Sequence, residues 1–383
     1  MLTKLCKTPF PWFGGKADAA EHVWAALGDV PHYVEPFAGG LAVLLRRPHT
    51  ANRTYHSETV NDLDGLLVNA WRSIQRYPEE TAEAASWPVT EADVMARHLA
   101  LLKWRSERNL ELLMADPEWC DPKMGGWWLY GQSAWIGSGW CSGRGTWTVG
   151  DDGRIEKRGG SGVSRQLPHL GHDGNGVHRP QAREEGVIRQ LPHLGNNGKG
   201  VHRPQAREEG VGPEPEYHPM TMPELRRWMR FLSVRLRHVR ILNGDWTRAV
   251  TSGAAVNLPV RQGHGPVGVF VDPPYADTAD RAEVYSQEDF QVAHAVREWC
   301  LSVGDDPRYR VVLAGFDGEH GEALIKAGWR EIEWFRSGFL KGGMGNVGGK
   351  HQQARERLWL SPHCVQSAGP SQGSLFGSRC VSP

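Results

Sequence analysis

Asp272-Pro273-Pro274-Tyr275 gathers three chemical functions into four positions. Asp272 offers a carboxylate acceptor, Pro273 a carbonyl whose direction is constrained by the neighbouring rings, and Tyr275 an aromatic face. Two acceptors beside a stacking surface suit a flat ring with an exocyclic amino group, because each N–H finds a partner while the ring is held. The bland alternative is a strand end followed by a stiff turn. Three upstream stretches add groups of another kind. In Pro11-Trp12-Phe13-Gly14-Gly15-Lys16, two glycines before a lysine let backbone N–H groups and an ammonium converge on an anion. A turn carrying a surface lysine is the commoner use of such a stretch, and the spacing is not the G-x-x-x-x-G-K-S/T of an ATP-binding loop. Tyr33-Val34-Glu35-Pro36-Phe37-Ala38-Gly39-Gly40 brings an acid to a glycine turn where a ligand can approach the backbone. Asn61-Asp62-Leu63-Asp64 places Asp62 about twenty residues further on, the distance at which a second strand ends with an acid for ribose hydroxyls. Asp62 could instead cap the helical stretch 66–74, although Asp64 is better placed to do so.

These groups need elements that deliver them to one place. The apolar run Val267 to Val271 has the length of a buried strand and would carry Asp272 to its end, where open α/β sheets bind ligands. A helical pattern spans Ala19 to Leu27, a strand leads into Glu35, and the apolar segment Leu41 to Leu45 reads as a helix after the glycine turn. Residues 76–115 read as helical, with leucines among charged neighbours. Thr221-Met-Pro-Glu224 is a capping box with an early proline, opening a helix to about Arg237. That helix is basic (Arg226, Arg227, Arg230, Arg235, Arg237), which a solvated face explains better than phosphate contact. Strands are expected at Val239 to Leu242, leading to Gly244-Asp245-Trp246, and at Arg310 to Ala314, Trp329 to Phe335 and Leu358 to Leu360. A helix should follow Tyr285 to Phe290.

The 383 residues suffice for a sizeable core, and 44 basic against 44 acidic side chains leave no global field, so a nucleic-acid surface must be a local patch. No apolar run approaches a membrane span and no signal pattern opens the chain, so a cytoplasmic setting is expected. The six scattered cysteines contain no C-x-x-C pair, which argues against a disulfide framework and a structural zinc. Many of the 17 tryptophans fall between Trp119 and Trp147, interleaved with glycine and serine; they could contact bases or form the core of a small lobe. From Gly150 to Gly212 the composition turns to Gly, Arg, His and Pro, and 165–187 is repeated at 189–211. This segment reads either as a duplicated, partly disordered surface insertion or as one whose arginines at 165, 179, 183, 189, 203 and 207 line a DNA groove; its five histidines lack metal-site spacing. Lys341 to Lys350 is a glycine-rich loop with a lysine at each end, either folding over a bound base or its phosphate or simply mobile. The tail beyond Ser361 is expected to be disordered.

Phe-Gly-Gly-Lys, Glu-Pro-Phe-Ala-Gly-Gly, Asn-Asp-Leu-Asp and Asp-Pro-Pro-Tyr, in that order, resemble the Dam-type family of DNA N6-adenine methyltransferases, and Ala-Val-Leu-Leu-Arg-Arg-Pro resembles its phage and prophage branch. The resemblance covers roughly residues 8–75 and 217–362, with a weaker stretch at 119–141. It implies a Rossmann-like α/β sheet in two parts, 1–75 and 217–362, with a target-recognition lobe at 76–216 inserted after the second strand and a tail at 363–383. It further implies methyl transfer from S-adenosylmethionine to N6 of adenine in double-stranded DNA, by a monomer with no metal. By the same resemblance, Asp272, Pro273, Pro274 and Tyr275 are catalytic, and Trp12, Lys16, Glu35, Phe37, Gly39, Asp62 and Asp245 surround the cofactor. Trp135, Arg144, Arg165, Arg189, Lys341 and Lys350 are the expected DNA contacts. A cytosine N4 or RNA methyltransferase, or a non-catalytic DNA-binding remnant, are the alternatives. The Gly39-Gly40 pair departs from many relatives and leaves the shape of the turn open.

Overall fold

The computed structural model describes residues 6–12, 14–48, 57–106, 108–135, 140–141, 147–149, 155–157, 193–194, 201–202, 221–251, 256, 265–274, 287–334 and 355–366. Its centre is a seven-stranded sheet. In chain order the strands are β1 (His32–Glu35), β2 (Ser57–Asp62), β7 (Val239–Asn243), β8 (Val267–Val271), β9 (Tyr309–Phe316), β10 (Arg330–Glu333) and β11 (Glu356–Leu360). Along the sheet they run β7–β2–β1–β8–β9–β11–β10. The first five are mutually parallel, whereas β11 lies antiparallel between β9 and β10. The chain thus builds outward from β1 to β7, then returns to the other side of β1. This reversal is the switch point of a doubly wound sheet, and it opens a crevice between the ends of β1 and β8. Every residue of β1 and of β8 is buried, as expected of central parallel strands; β8 is an apolar run, whereas β1 buries His32 and Glu35 at its two ends.

The helices are α1 (Ala20–Leu27), α2 (Gly65–Arg76), α3 (Pro78–Ala85), α4 (Glu91–Ser106), α5 (Asn109–Ala115), α6 (Pro122–Ala134), α7 (Met222–Leu236), α8 (Thr247–Val250), α9 (Gln287–Val303) and α10 (Gly321–Lys326). Asp64 caps α2, its Oδ1 accepting from Leu66 N at 2.9 Å. The capping box of α7 is complete: Thr221 N donates to Glu224 Oε2 at 2.8 Å and Glu224 N to Thr221 Oγ1 at 3.4 Å. The helix expected over 41–45 is instead a turn followed by one 3-10 turn, Leu44–Arg46. Leu41 sits at φ 52°, outside the helical region, and Pro48 follows closely, so a regular helix has no room to propagate.

Helices α3 to α6 share a core with the sheet. In α6, Trp128 is buried against Phe10 (centroids 5.0 Å apart) and Trp12 (6.2 Å). Gly126 permits close packing of α6 on α3, since a Cβ there would stand 2.4 Å from Ala84 Cβ. Of the two readings of the tryptophan-rich stretch, Trp128, Leu129 and Tyr130 take the packing one. Arg72, also buried, donates to Ile241 O at 2.8 and 3.0 Å, and to Leu113 O and Asp116 O at 2.9 Å, tying α2 to β7 and to the end of α5.

The basic face of α7 is not simply solvated. Arg226 and Arg230 pair with Glu83 and Glu79 of α3. Arg235 is buried, with Nη1 2.7 Å from Glu58 Oε2, and Glu58 also meets Arg47 at 3.1 Å. Burial opposes the charge on Glu58, but the two guanidiniums outweigh it and hold the carboxyl below its ordinary range. Period alone could not reveal this, because the partners lie 177 residues away. Between residues 147 and 212 the described residues form only short antiparallel ladders, β3 (Trp147–Val149) with β4 (Ile155–Lys157) and β5 (His193–Leu194) with β6 (Val201–His202). The rest of the duplication, the 341–350 loop and the tail beyond 366 lie outside the described residues.

Candidate active site

Parallel pairing brings the ends of four strands to one edge. Glu35 is the last residue of β1 and Asp62 the last of β2; Asp272 directly follows β8, and Gly244-Asp245 follow β7. Because β11 runs the other way, its first residue, Glu356, starts at this same edge, opposite Phe316 at the end of β9.

The glycine turn is held from three sides. Ala38 N donates to Asn61 O at 2.8 Å, Gly39 N to Asp62 Oδ2 at 2.9 Å, and Trp71 Nε1 to Gly39 O at 2.9 Å. Gly39 lies at φ 46°, and a Cβ there would stand 2.6 Å from Trp12 Nε1, so both its backbone and its lack of a side chain are used. The second oxygen of Asp62 accepts from Asp64 N at 2.9 Å. Asp62 therefore spans the glycine turn and the start of its own loop, and the helix-capping role goes to Asp64. Burial pushes the Asp62 carboxyl up to about 6, against the pull of the Gly39 and Asp64 N–H groups. Beside it, buried Asn61 donates to Pro36 O (3.1 Å) and Gly244 O (2.9 Å), while its Oδ1 has no hydrogen-bond partner among the described residues.

Glu35 is 3% exposed and accepts from Tyr33 OH at 3.0 Å. Burial pushes its carboxyl up to about 8; the Tyr33 hydroxyl opposes the rise and the Asp272 charge adds to it. The ammonium of Lys16, 4% exposed, donates to Gly14 O at 3.0 Å. It also lies 3.3 Å from Asp272 Oδ1 and 3.8 Å from Glu356 Oε2. The anion that this lysine meets is thus the protein's own Asp272. Phe37 stacks on Trp246 with centroids 6.1 Å apart. Asp245 accepts from Thr247 N at 3.0 Å at the start of α8.

Trp12, Lys16, Glu35, Phe37, Gly39, Asp62, Asp245, Asp272, Pro273 and Pro274 all border one cavity of about 300 Å³, in the size range of small-molecule sites. Asn61, Leu63, Trp246 and Val292 border it too and were not singled out in the sequence. Trp135 lies elsewhere, stacked on His98 (4.8 Å, 23°) and against Trp140 (5.2 Å) in a half-buried aromatic cluster. Tyr275, Arg144, Arg165, Arg189, Lys341 and Lys350 lie outside the described residues. Among the described residues no group of three or more His, Cys, Asp or Glu side chains could hold a metal ion, and no helix is long and apolar enough to cross a membrane.

Glu356 was missed altogether. Between Arg355 and Arg357 it looks like part of a charged surface. The available signal was period: Glu356, Leu358 and Leu360 alternate onto one face, and that face is buried.

No curated protein matches the chain. Residues 12–109, which hold the glycine-lysine stretch from Trp12, the glycine turn and Asp62 and end before Asp272, match the family model of the D12 class N6 adenine-specific DNA methyltransferases.

Proposed function

We propose that the methyl donor is S-adenosylmethionine, bound at the ends of β1 and β2, and that the acceptor is an adenine N6 rotated out of the duplex towards Asp272. The observation that carries this reading is the shared cavity, with the Glu35–Asp62 end continuous with Asp272-Pro273-Pro274. Its acidic lining suits a ligand bearing an ammonium and a sulfonium. Asp62 would accept from ribose hydroxyls, and the unpartnered Asn61 Oδ1 suits a ligand donor. Phe37 and Trp12 offer aromatic surface at the same cavity.

When bound, the donor supplies a methyl group on a sulfonium whose departure as a neutral thioether needs no metal. Adenine N6 is a poor nucleophile because its lone pair is delocalised into the ring. Asp272 and the Pro273 carbonyl, by accepting its two N–H bonds, favour a more tetrahedral nitrogen with an available lone pair. Lys16 holds the Asp272 carboxylate from the side. Tyr275 would stack on a base that must leave the helix to be reached. Arg144, Arg165, Arg189, Lys341 and Lys350 would meet phosphates, with Trp135 near the duplex.

Asp272→Asn tests the assignment. The amide keeps one acceptor and loses the charge, a change that costs about 10²–10³ in rate at sites of this type. Single-turnover transfer of labelled methyl to DNA should fall by that factor while donor affinity stays within a few-fold. Near wild-type turnover would remove Asp272 from the chemistry.

A further inference from the structure

Lys16 does more than meet one acid. Its ammonium carries three N–H donors, and around it stand Gly14 O at 3.0 Å, Asp272 Oδ1 at 3.3 Å and Glu356 Oε2 at 3.8 Å. The lysine is 4% exposed and its two carboxylate partners are 20% and 11% exposed, so water screens this cluster poorly. Asp272 reaches the cluster from the end of β8 and Glu356 from the start of the antiparallel strand β11. One positive charge is therefore divided between two acids, one of which is the proposed acceptor for the target amino group.

Division has a chemical consequence. An ammonium that bonds Asp272 alone occupies its lone pairs and draws off its charge, in competition with the N–H of a bound base. An ammonium drawn partly towards Glu356 orients Asp272 and competes less strongly for it. We propose that Glu356 is a positioning residue for methyl transfer: by sharing Lys16 with Asp272 it keeps the Asp272 carboxylate aimed and limits how far the ammonium competes with the amino group for it. The proposal rests on the reading of Asp272 given above.

Among the described residues, the following charged groups stand around Glu356. Lys16 faces it from the segment before α1, and Asp272 from the end of β8. Glu35 at the end of β1 also feels the charge of Asp272. On the neighbouring strands Arg357 pairs with Glu331 and Glu333, and Arg355 with Asp317. Burial pushes the Glu356 carboxyl up to about 7; Lys16 opposes the rise and Asp272 adds to it. Below that pH Glu356 takes up a proton and releases Lys16 towards Asp272, so methyl transfer should rise with pH through about 7.

The test compares wild type, Glu356→Gln and Glu356→Asp for single-turnover methyl transfer from pH 5.5 to 9, with S-adenosylmethionine and DNA affinities measured separately. Glu356→Gln should transfer methyl at least about tenfold more slowly with both affinities within about twofold, and should lose the step near pH 7. Glu356→Asp, which keeps the charge but withdraws it by one methylene, should be about threefold slow and should keep the step. A wild-type rate and pH profile in Glu356→Gln overturn the proposal, as does a loss that tracks weaker donor or DNA binding. If the glutamine variant does not fold, an unchanged rate in Glu356→Asp overturns it instead. Asp272→Asn separates the two ideas. If it is active, the underlying reading fails; if it is inactive while Glu356→Gln is normal, only the positioning role fails.

Discussion

Replacing Glu35 with glutamine isolates the charge buried at the end of β1. The carboxyl titrates at about 8 in the fold against 4.5 for a free glutamate. Because the folded value is the higher one, the neutral form favours the fold: its contribution is complete below pH 4.5 and is lost as pH rises through 8. At about 1.36 kcal/mol per pH unit, the displacement corresponds to about 5 kcal/mol. This is an upper bound, since water entering the cavity at high pH would hydrate the carboxylate. Glutamine has nearly the same shape, and its Oε1 can still accept from Tyr33 OH, so the substitution removes the charge with little repacking. Urea denaturation of the ligand-free protein at pH 5, 7 and 9 should therefore show wild type losing several kcal/mol more than Glu35→Gln as pH rises, with the variant the more stable at pH 9. The same displacement bears on ligand binding. A cationic donor favours the ionised carboxylate, so binding at pH 7 should expel close to one proton more from wild type than from the variant, read by calorimetry in two buffers of different ionisation enthalpy. Parallel stability profiles for the two proteins would refute the argument at its root, because they would mean that Glu35 is not paying a desolvation cost in the fold.

Asp62→Asn leaves one of the Gly39 and Asp64 N–H groups without its partner, a loss of about 1–3 kcal/mol. It also removes a carboxylate whose folded value of about 6 against 3.8 makes the ionised form cost about 3 kcal/mol above pH 6. The variant should thus melt near wild type at pH 8 and clearly below it at pH 4, while binding S-adenosylmethionine about 1.5–3 kcal/mol more weakly; equal destabilisation at both pH values would contradict this. Gly39→Ala forces a left-handed alanine, costing about 1–2 kcal/mol, and sets a Cβ 2.6 Å from Trp12 Nε1. Lower melting temperature, altered tryptophan emission and weaker donor binding are expected together, and an unchanged donor affinity would show that the turn can be rebuilt without loss.

What could be read in advance was what is local. The turn at Gly39, the cap at Asp64, the strand delivering Asp272 and the capping box at Thr221 each depend on residues within a few positions of one another, and each formed where the pattern placed it. The sheet followed, because strands of that length separated by helical patterns have few ways to pair. The helix expected over 41–45 failed for a local reason too, the left-handed Leu41, which apolar periodicity does not encode. What remained illegible depends on distant pairing. For Lys16 the sequence leaves a surface lysine and an anion binder both open, and nothing near it says that its partner is Asp272. Arg235 was placed on a solvated face and is buried against Glu58. Glu356 was unseen because its role exists only once an antiparallel strand has brought it back to the edge where four parallel strands end.

The strand order also explains how motifs separated by some two hundred residues of sequence can serve one site despite a long insertion between them. The chain leaves the sheet after β2 and returns as β7, which pairs with β2 on the side away from β1. Whatever is inserted there departs from and rejoins the outer half of the sheet. The contact that matters, β1 beside β8, lies on the other side and is made by later chain. The exit and return are clasped together: Gln75 at the end of α2 donates to Val239 O at 2.9 Å, and Ser233 Oγ of α7 donates back to Gln75 O at 2.7 Å. With the ends fixed, the entropic cost of closing the loop grows only with the logarithm of its length, about 0.6 kcal/mol per doubling. A duplication such as 165–187/189–211 can therefore be accommodated at small energetic cost and without moving Glu35, Asp62, Lys16 or Asp272. Helices α3 to α6, by contrast, bury Trp128 against Phe10 and Trp12 behind the glycine turn, so the first part of the insertion supports the cavity wall and is not free to vary in the same way. Beyond α6 the same wall continues through Trp140, whose Nε1 donates to Trp128 O at 3.2 Å, and through Cys141, buried in the same core.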